Sequence, residues 1–386
     1  THLSLRLHRA QEQQAADEKY TQLLVKTALW LQGGCTLVTA DETVFRWLQG
    51  AYGPGGVRTF DRDFMSGIYG APFRVELHPT LPAVQEAAHP ISASTVGCRI
   101  GIDLGGSDEN DGLLLEAHAD TLGGMVAEIK GNGRLQLTAL GGMRPENGEA
   151  ENVRVYTRSG RVIEVTFQLC NASVHVNGEY AKTNRTFDTT EILLDENVSS
   201  AEETRALGIE TGDIVCFDPR THVTASGYIK SRFLDDKLSV GILLGFAKYL
   251  KETNKKPARK IYQHITVFEE VGHGGSASIP ADVAEILAVD MGCVGDGLSC
   301  KETQVSICAK DSGGPYHYDV VSALIEAART AKVDFAVDVY PHYGSDAEAG
   351  LRSGIDCRHG LIGSGVYASH GYERSHVKGM ENTFRL

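Results

Sequence analysis

Leu113-Leu114-Leu115-Glu116-Ala117-His118-Ala119-Asp120 is the stretch on which the fold of this chain turns. It is apolar, short and bounded by Asp111-Gly112, so it reads as a buried strand rather than a helix. It ends in His118-x-Asp120. Two later apolar runs end the same way. Ile261–Phe268 runs into Glu269-Glu270, and Ile286–Val289 runs into Asp290. A fourth polar group, Asp235-Asp236, stands just before an apolar helix expected over Leu238–Leu250, whose Gly241 and Gly245 suit close packing on a sheet. In open α/β sheets ligands bind beyond the carboxyl ends of the strands, which is where these groups fall.

Working outward, residues 127–226 change character. Lys130-Gly131-Asn132-Gly133-Arg134 marks a tight turn between alternating segments, and Val153–Tyr156 with Arg161–Phe167 forms a second expected hairpin. Ser200-Ala201-Glu202-Glu203 is a capping-box pattern opening a short helix that Gly208 stops, and Ile214–Phe217 reads as a strand. The expected architecture is an α/β domain made of residues 1–126 and 227–386, interrupted by a β-rich insert at 127–226. Helical spacing of Leu23, Leu24, Ala28 and Leu31 predicts a helix near the start, followed by a second over Thr43–Leu48. Asp319 is expected to cap a helix through Val320 and Leu324, and Val333–Tyr340 to form a strand.

With 386 residues and 42% hydrophobic content, the chain can bury a large core without disulfides. Against 37 Lys+Arg stand 50 Asp+Glu, a formal charge of −13, which argues against a nucleic-acid partner. No stretch approaches the ~20 apolar residues of a membrane span, and no apolar leader opens the sequence. The eight cysteines are dispersed and form no C-x-x-C pair, as expected of free thiols in a reducing, cytoplasmic setting. Gly105-Gly106-Ser107 and Gly313-Gly314-Pro315 lack the Lys-Ser/Thr of a phosphate loop, and no Gly-x-Ser-x-Gly elbow occurs.

Taken singly, each polar group has a structural reading. His118-x-Asp120 can be a hydrogen-bonded strand end, Asp235-Asp236 a helix cap, and Asp290 a turn cap. Glu269-Glu270 resists this reading, because two adjacent carboxylates ending an apolar strand repel one another and need a partner. Imidazole and carboxylate without thiolate suit zinc, cobalt or manganese. A bridging carboxylate allows two ions ~3.5–4 Å apart, with a free carboxylate beside them as a base.

In order and spacing, His118-x-Asp120, Asp235-Asp236, Glu269-Glu270-Val271-Gly272, Asp290 and a late His370 resemble the M42 aminopeptidases, the glutamyl or tetrahedral aminopeptidase family. Gly344-Ser345-Asp346-Ala347 is similar to the family's Gly-Thr-Asp-Ala segment near the substrate. The resemblance implies an aminopeptidase with two divalent ions per subunit. His118 and Asp290 would hold the first ion and Glu270 and His370 the second, with Asp235 bridging them. Glu269 would be general base and Asp120 would orient His118. It also implies a PDZ-like insert that makes dimers, which can build dodecamers, and peptide substrates. Lys237 departs from the family's usual Arg, and His273-Gly274-Gly275 from its bulkier stretch. For the last ligand the sequence offers both His370 and His376. Other readings are a two-metal deacylase on a non-peptide amide, or a non-catalytic assembly or peptide-binding protein.

Overall fold

The computed structural model describes residues 101–386 apart from Ser278, and upstream of them only the backbone of short strands. The two helices expected in the first 50 residues lie outside the described residues. The main body is a 12-stranded mixed sheet. Its centre is four parallel strands, in the order Arg358–Tyr367, Val283–Val289, Asp108–His118, Arg259–Thr266. Arg99–Gly105 adds antiparallel on one side and Val305–Lys310 on the other. The helices Leu234–Thr253, Tyr318–Ala331 and Asp346–Arg352 pack on this sheet around one core, which includes Leu114, Ile265, Ile286 and Leu361. The Leu113–His118 end of its strand is buried almost throughout, as a central parallel strand covered on both faces must be.

Residues between Gly123 and Phe217 form a closed six-stranded barrel. Its strands are Gly123–Ile129, Leu135–Leu140, Asn152–Tyr156, Val162–Leu169, Thr190–Leu194 and Ile214–Phe217. Both expected hairpins are present. In the first, Gly133 takes a φ of 83° and its N–H donates to Lys130 O over 2.9 Å. Val162–Leu169 alternates inside and out, and its Phe167 packs edge-on to Phe217, centroids 5.5 Å apart, within a core of Leu135, Val155 and Ile192. Ser200 caps the short helix Ala201–Ala206 by accepting from Glu203 N, and Glu203 in turn accepts from Ser199 N.

Three features depart from the sequence reading. Asp319 lies in the first turn of helix Tyr318–Ala331, whose cap position is held by His317 without a side-chain bond. Strand Val305–Lys310 was not anticipated. Nor was Arg358–Tyr367, where glycines dilute the apolar pattern. The glycines have a packing reason: a Cβ on Gly363 would fall 1.5 Å from the Asp290 carbonyl oxygen. The bare backbone lets two chain segments meet where Asp290 is set. No helix among the described residues is long and apolar enough to cross a membrane, and all six described cysteines are free thiols.

Candidate metal centre

Each sequence-selected residue sits where the sheet topology delivers it. His118 ends its strand opposite Thr266 of the neighbouring strand. Glu269 and Glu270 share one 3-10 turn beyond Thr266, entered through Phe268 at φ 77°. Asp290 follows Val283–Val289, and His370 follows Arg358–Tyr367 at φ 63°. Asp235 and Asp236, joined by a cis peptide bond, are non-helical, so the regular helix starts at Lys237. Asp236 therefore flanks the regular helix, and Phe233, in the left-handed region, opens the irregular turn before it. Left-handed non-glycine residues at these turns are costly conformations of the kind that cluster at functional sites.

The side chains converge in two groups that share Asp235. His118, Asp235 and Asp290 offer ligand atoms within 4.8 Å of one another, and so do Asp235, Glu270 and His370. In the inner group His118 Nε2 lies 3.1 Å from Asp235 Oδ1 and 3.9 Å from Asp290 Oδ2. In the outer group His370 Nε2 lies 3.5 Å from Asp235 Oδ2 and 3.7 Å from Glu270 Oε2. Glu269 Oε2 stands 3.8 Å from His118 Nε2, facing the same space.

Buried carboxylates lace these stretches together. Asp120, wholly buried, approaches His118 Nδ1 at 3.4 Å and accepts the backbone N–H groups of Glu269 (3.3 Å) and Glu270 (3.1 Å). Asp236 Oδ2 accepts from His118 N over 3.2 Å. Asp346 accepts from Gly275 N over 2.6 Å and from the Thr266 hydroxyl, fixing the far side of the Glu269–Glu270 turn. Gly274 and Gly275 are needed here, since a Cβ at either would strike Asp346. Lys237 is buried and donates to Ala119 O over 2.8 Å, supporting the loop between His118 and Asp120.

The electrostatics of the cluster follow from its burial and from its paired imidazoles. Burial, then the charge of nearby carboxylates, pushes Glu269 and Glu270 well above the ordinary range, and Asp290 up to about 7. Burial also opposes ionisation of Asp235, but His118 and His370 outweigh it and hold that carboxylate low. Burial disfavours a charged His118, yet Asp120 and Asp235 raise its pKa well above that of a free imidazole. Glu270 Oε1 is buried with no hydrogen-bond partner among the described residues. So many buried carboxyl groups, one of them with an oxygen that finds no partner among the described residues, beside two imidazoles fit divalent cations.

The groups open on a cavity of about 540 Å³. Arg144, from the connection between two barrel strands, lines it together with His342, Tyr343 and Arg352. Arg144, Asn147 and Tyr343 carried no sequence signal, because they join the site only through the fold. His376 lies apart from both groups, with Nε2 donating to Ser226 O over 2.9 Å and Nδ1 accepting from Lys378 N over 3.0 Å. His264 is buried in its strand 3.2 Å from Glu116, in keeping with a packed role.

The profile describing the M42 glutamyl aminopeptidases matches residues 98–386. The chain is 44% identical to YhfE of Bacillus subtilis, assigned as an aminopeptidase, over 73% of this chain and 82% of that one. It is 28% identical to the lysyl aminopeptidase of Pyrococcus furiosus over 46% of this chain and 50% of that one. In fold it resembles aminopeptidase APDkam598 of Desulfurococcus kamchatkensis, with a TM-score of 0.69 and 23% identity over 78% of this chain and 84% of that one. It resembles the TET1 peptidase of Pyrococcus horikoshii as well, with a TM-score of 0.67 and 21% identity over 78% and 89% of the two chains. The chain is a hydrolase that belongs to the M42 glutamyl aminopeptidase family.

Proposed function

We propose that this chain is a two-metal aminopeptidase that removes N-terminal residues from peptides. His118, Asp235 and Asp290 would hold one ion, zinc or cobalt, and Asp235, Glu270 and His370 the other. The observation that carries this reading is Asp235, whose two oxygens face different imidazoles, Oδ1 toward His118 and Oδ2 toward His370. Divalent ions bound there supply Lewis acidity toward a carbonyl and lower the pKa of water. Glu269 does the proton work: it faces the cavity without belonging to either ligand group, and burial holds its proton affinity high. It takes a proton from the attacking water and passes it to the leaving amine. Asp120 keeps His118 Nε2 aimed at Asp235 by occupying the Nδ1 side.

Glu269→Gln tests the assignment. Turnover of aminoacyl-anilides should fall by the ~10²–10⁴-fold that a positioned acid–base group supplies, with metal content retained. Wild-type turnover in that variant would overturn it. Cleavage of N-acylated amino acids in place of aminoacyl-anilides would move the reading to a deacylase. The TET1 peptidase assembles into a tetrahedron or an octahedral shell, which supports self-association here. We carry over a cytoplasmic setting and a dimer made through the barrel, with PDZ-like use of the insert and a dodecamer as its higher form.

A further inference from the structure

His370 is 39% exposed and sits in a turn, so side-chain packing alone does not fix it. Its backbone and ring are fixed instead. Glu373, only 2% exposed, accepts His370 N through Oε1 over 2.9 Å and Asp235 N through Oε2 over 3.0 Å. A single rigid carboxylate therefore spaces two ligand-bearing segments far apart in sequence. On the other side, Asn147 Nδ2 donates to His370 O over 3.0 Å. The imidazole lies against Gly142, where a Cβ would fall 2.6 Å from Nδ1. Gly142 and Asn147 belong to the connection between barrel strands Leu135–Leu140 and Asn152–Tyr156.

From these contacts we propose that Glu373 and Asn147 are positioning residues for the outer metal group, and that Asn147 makes the inserted barrel part of that group. The proposal rests on reading Asp235, Glu270 and His370 as ligands. It goes further by giving the barrel a role at the site itself. Asn147 and Gly142 touch only the outer group, whereas Glu373 also touches the shared Asp235. Their loss should therefore act selectively. Partners that orient a ligating His typically contribute 10–100-fold in metal affinity.

The test is a cobalt titration of the chelator-stripped full chain, followed by calorimetry and visible absorption. The wild type should bind in two steps. In Asn147→Ala the outer step should weaken ~10–100-fold with the inner step unchanged. Gly142→Ala should do the same by displacing the ring. In Glu373→Gln the amide has one acceptor oxygen where two N–H groups need one each, so the outer step should weaken at least as much. Asn147 lies at the surface of the contact, and Asn147→Ala decides the matter if Glu373→Gln does not fold. Two unchanged steps in Asn147→Ala, or equal weakening of both, would overturn the proposal alone. Absence of a second step in the wild type would sink the two-metal reading and this proposal together.

Discussion

The proposed inner and outer ligand groups share Asp235 and are otherwise built differently. His118, Asp235 and Asp290 are 1%, 7% and 5% exposed, and His118 and Asp290 sit at ends of central strands whose ladders fix their backbones. Glu270 and His370 hang from turns, and His370 borders the cavity on bonds from Glu373 and Asn147. The inner group is a product of core packing, while the outer group is a product of individual hydrogen bonds and of the insert. The difference predicts unequal costs when each is broken.

The largest effect should come from His118→Ala. It removes a proposed inner ligand and leaves Asp120, Asp235 and Asp290 buried without their imidazole. Loss of one partner from a buried charge cluster costs ~3–5 kcal/mol, so both inner cobalt binding and the unfolding midpoint in urea should fall. Activity should drop beyond the ~10–100-fold typical of outer partners. His370→Ala should abolish the outer cobalt step but cost less stability than His118→Ala, because both variants take an imidazole from Asp235 and only His118 is fully buried. Equal destabilisation by the two variants would break the distinction between the groups.

Much of the inner group was legible in sequence. A run of apolar residues must end somewhere, and His118, Glu269 and Asp290 stand where such runs end. Asp235 was visible for a different reason, as an acid placed before a long apolar helix. The outer group was harder to read. His370 follows a strand disguised by Gly360, Gly363 and Gly365, and its supports come from Asn147 and Gly142, more than 200 positions away. The barrel's hairpins were readable from turn chemistry, but its closure depends on Thr190–Leu194 pairing with both Val162–Leu169 and Leu135–Leu140, a non-local fact.

A buried acid outside both groups sharpens the comparison, because it shows what burial does without imidazole partners. Glu348 packs against Gly313, beside Arg352 at 3.4 Å. Burial and the neighbouring Asp311 raise its pKa from 4.5 to about 7. The folded state therefore binds this proton more tightly than the unfolded chain. The resulting stability is fully present below pH 4.5 and is lost as pH rises through about 7. Glu348→Gln should raise stability relative to wild type by about 1–3 kcal/mol at pH 8, and the gain should shrink toward pH 5. A pH-independent difference in urea midpoints would contradict this origin.

The smallest effect belongs to His376, the other late histidine. Its Nδ1 caps the last helix by accepting Lys378 N, its Nε2–H donates to Ser226 O, and its ring meets Tyr228 edge-on with centroids 4.8 Å apart. One neutral tautomer satisfies both bonds, leaving no lone pair for a metal. His376→Ala should cost ~1–2 kcal/mol, in the range for loss of a helix cap. His376→Asn should recover part of that, because Asn also accepts the capping N–H. Both should keep two cobalt steps and wild-type turnover. Loss of the outer cobalt step in His376→Ala would move the last ligand from His370 to His376, and with it the claim that the insert supports the metal site. Stability loss without metal loss would instead assign His376 to the strand–helix corner that closes the chain.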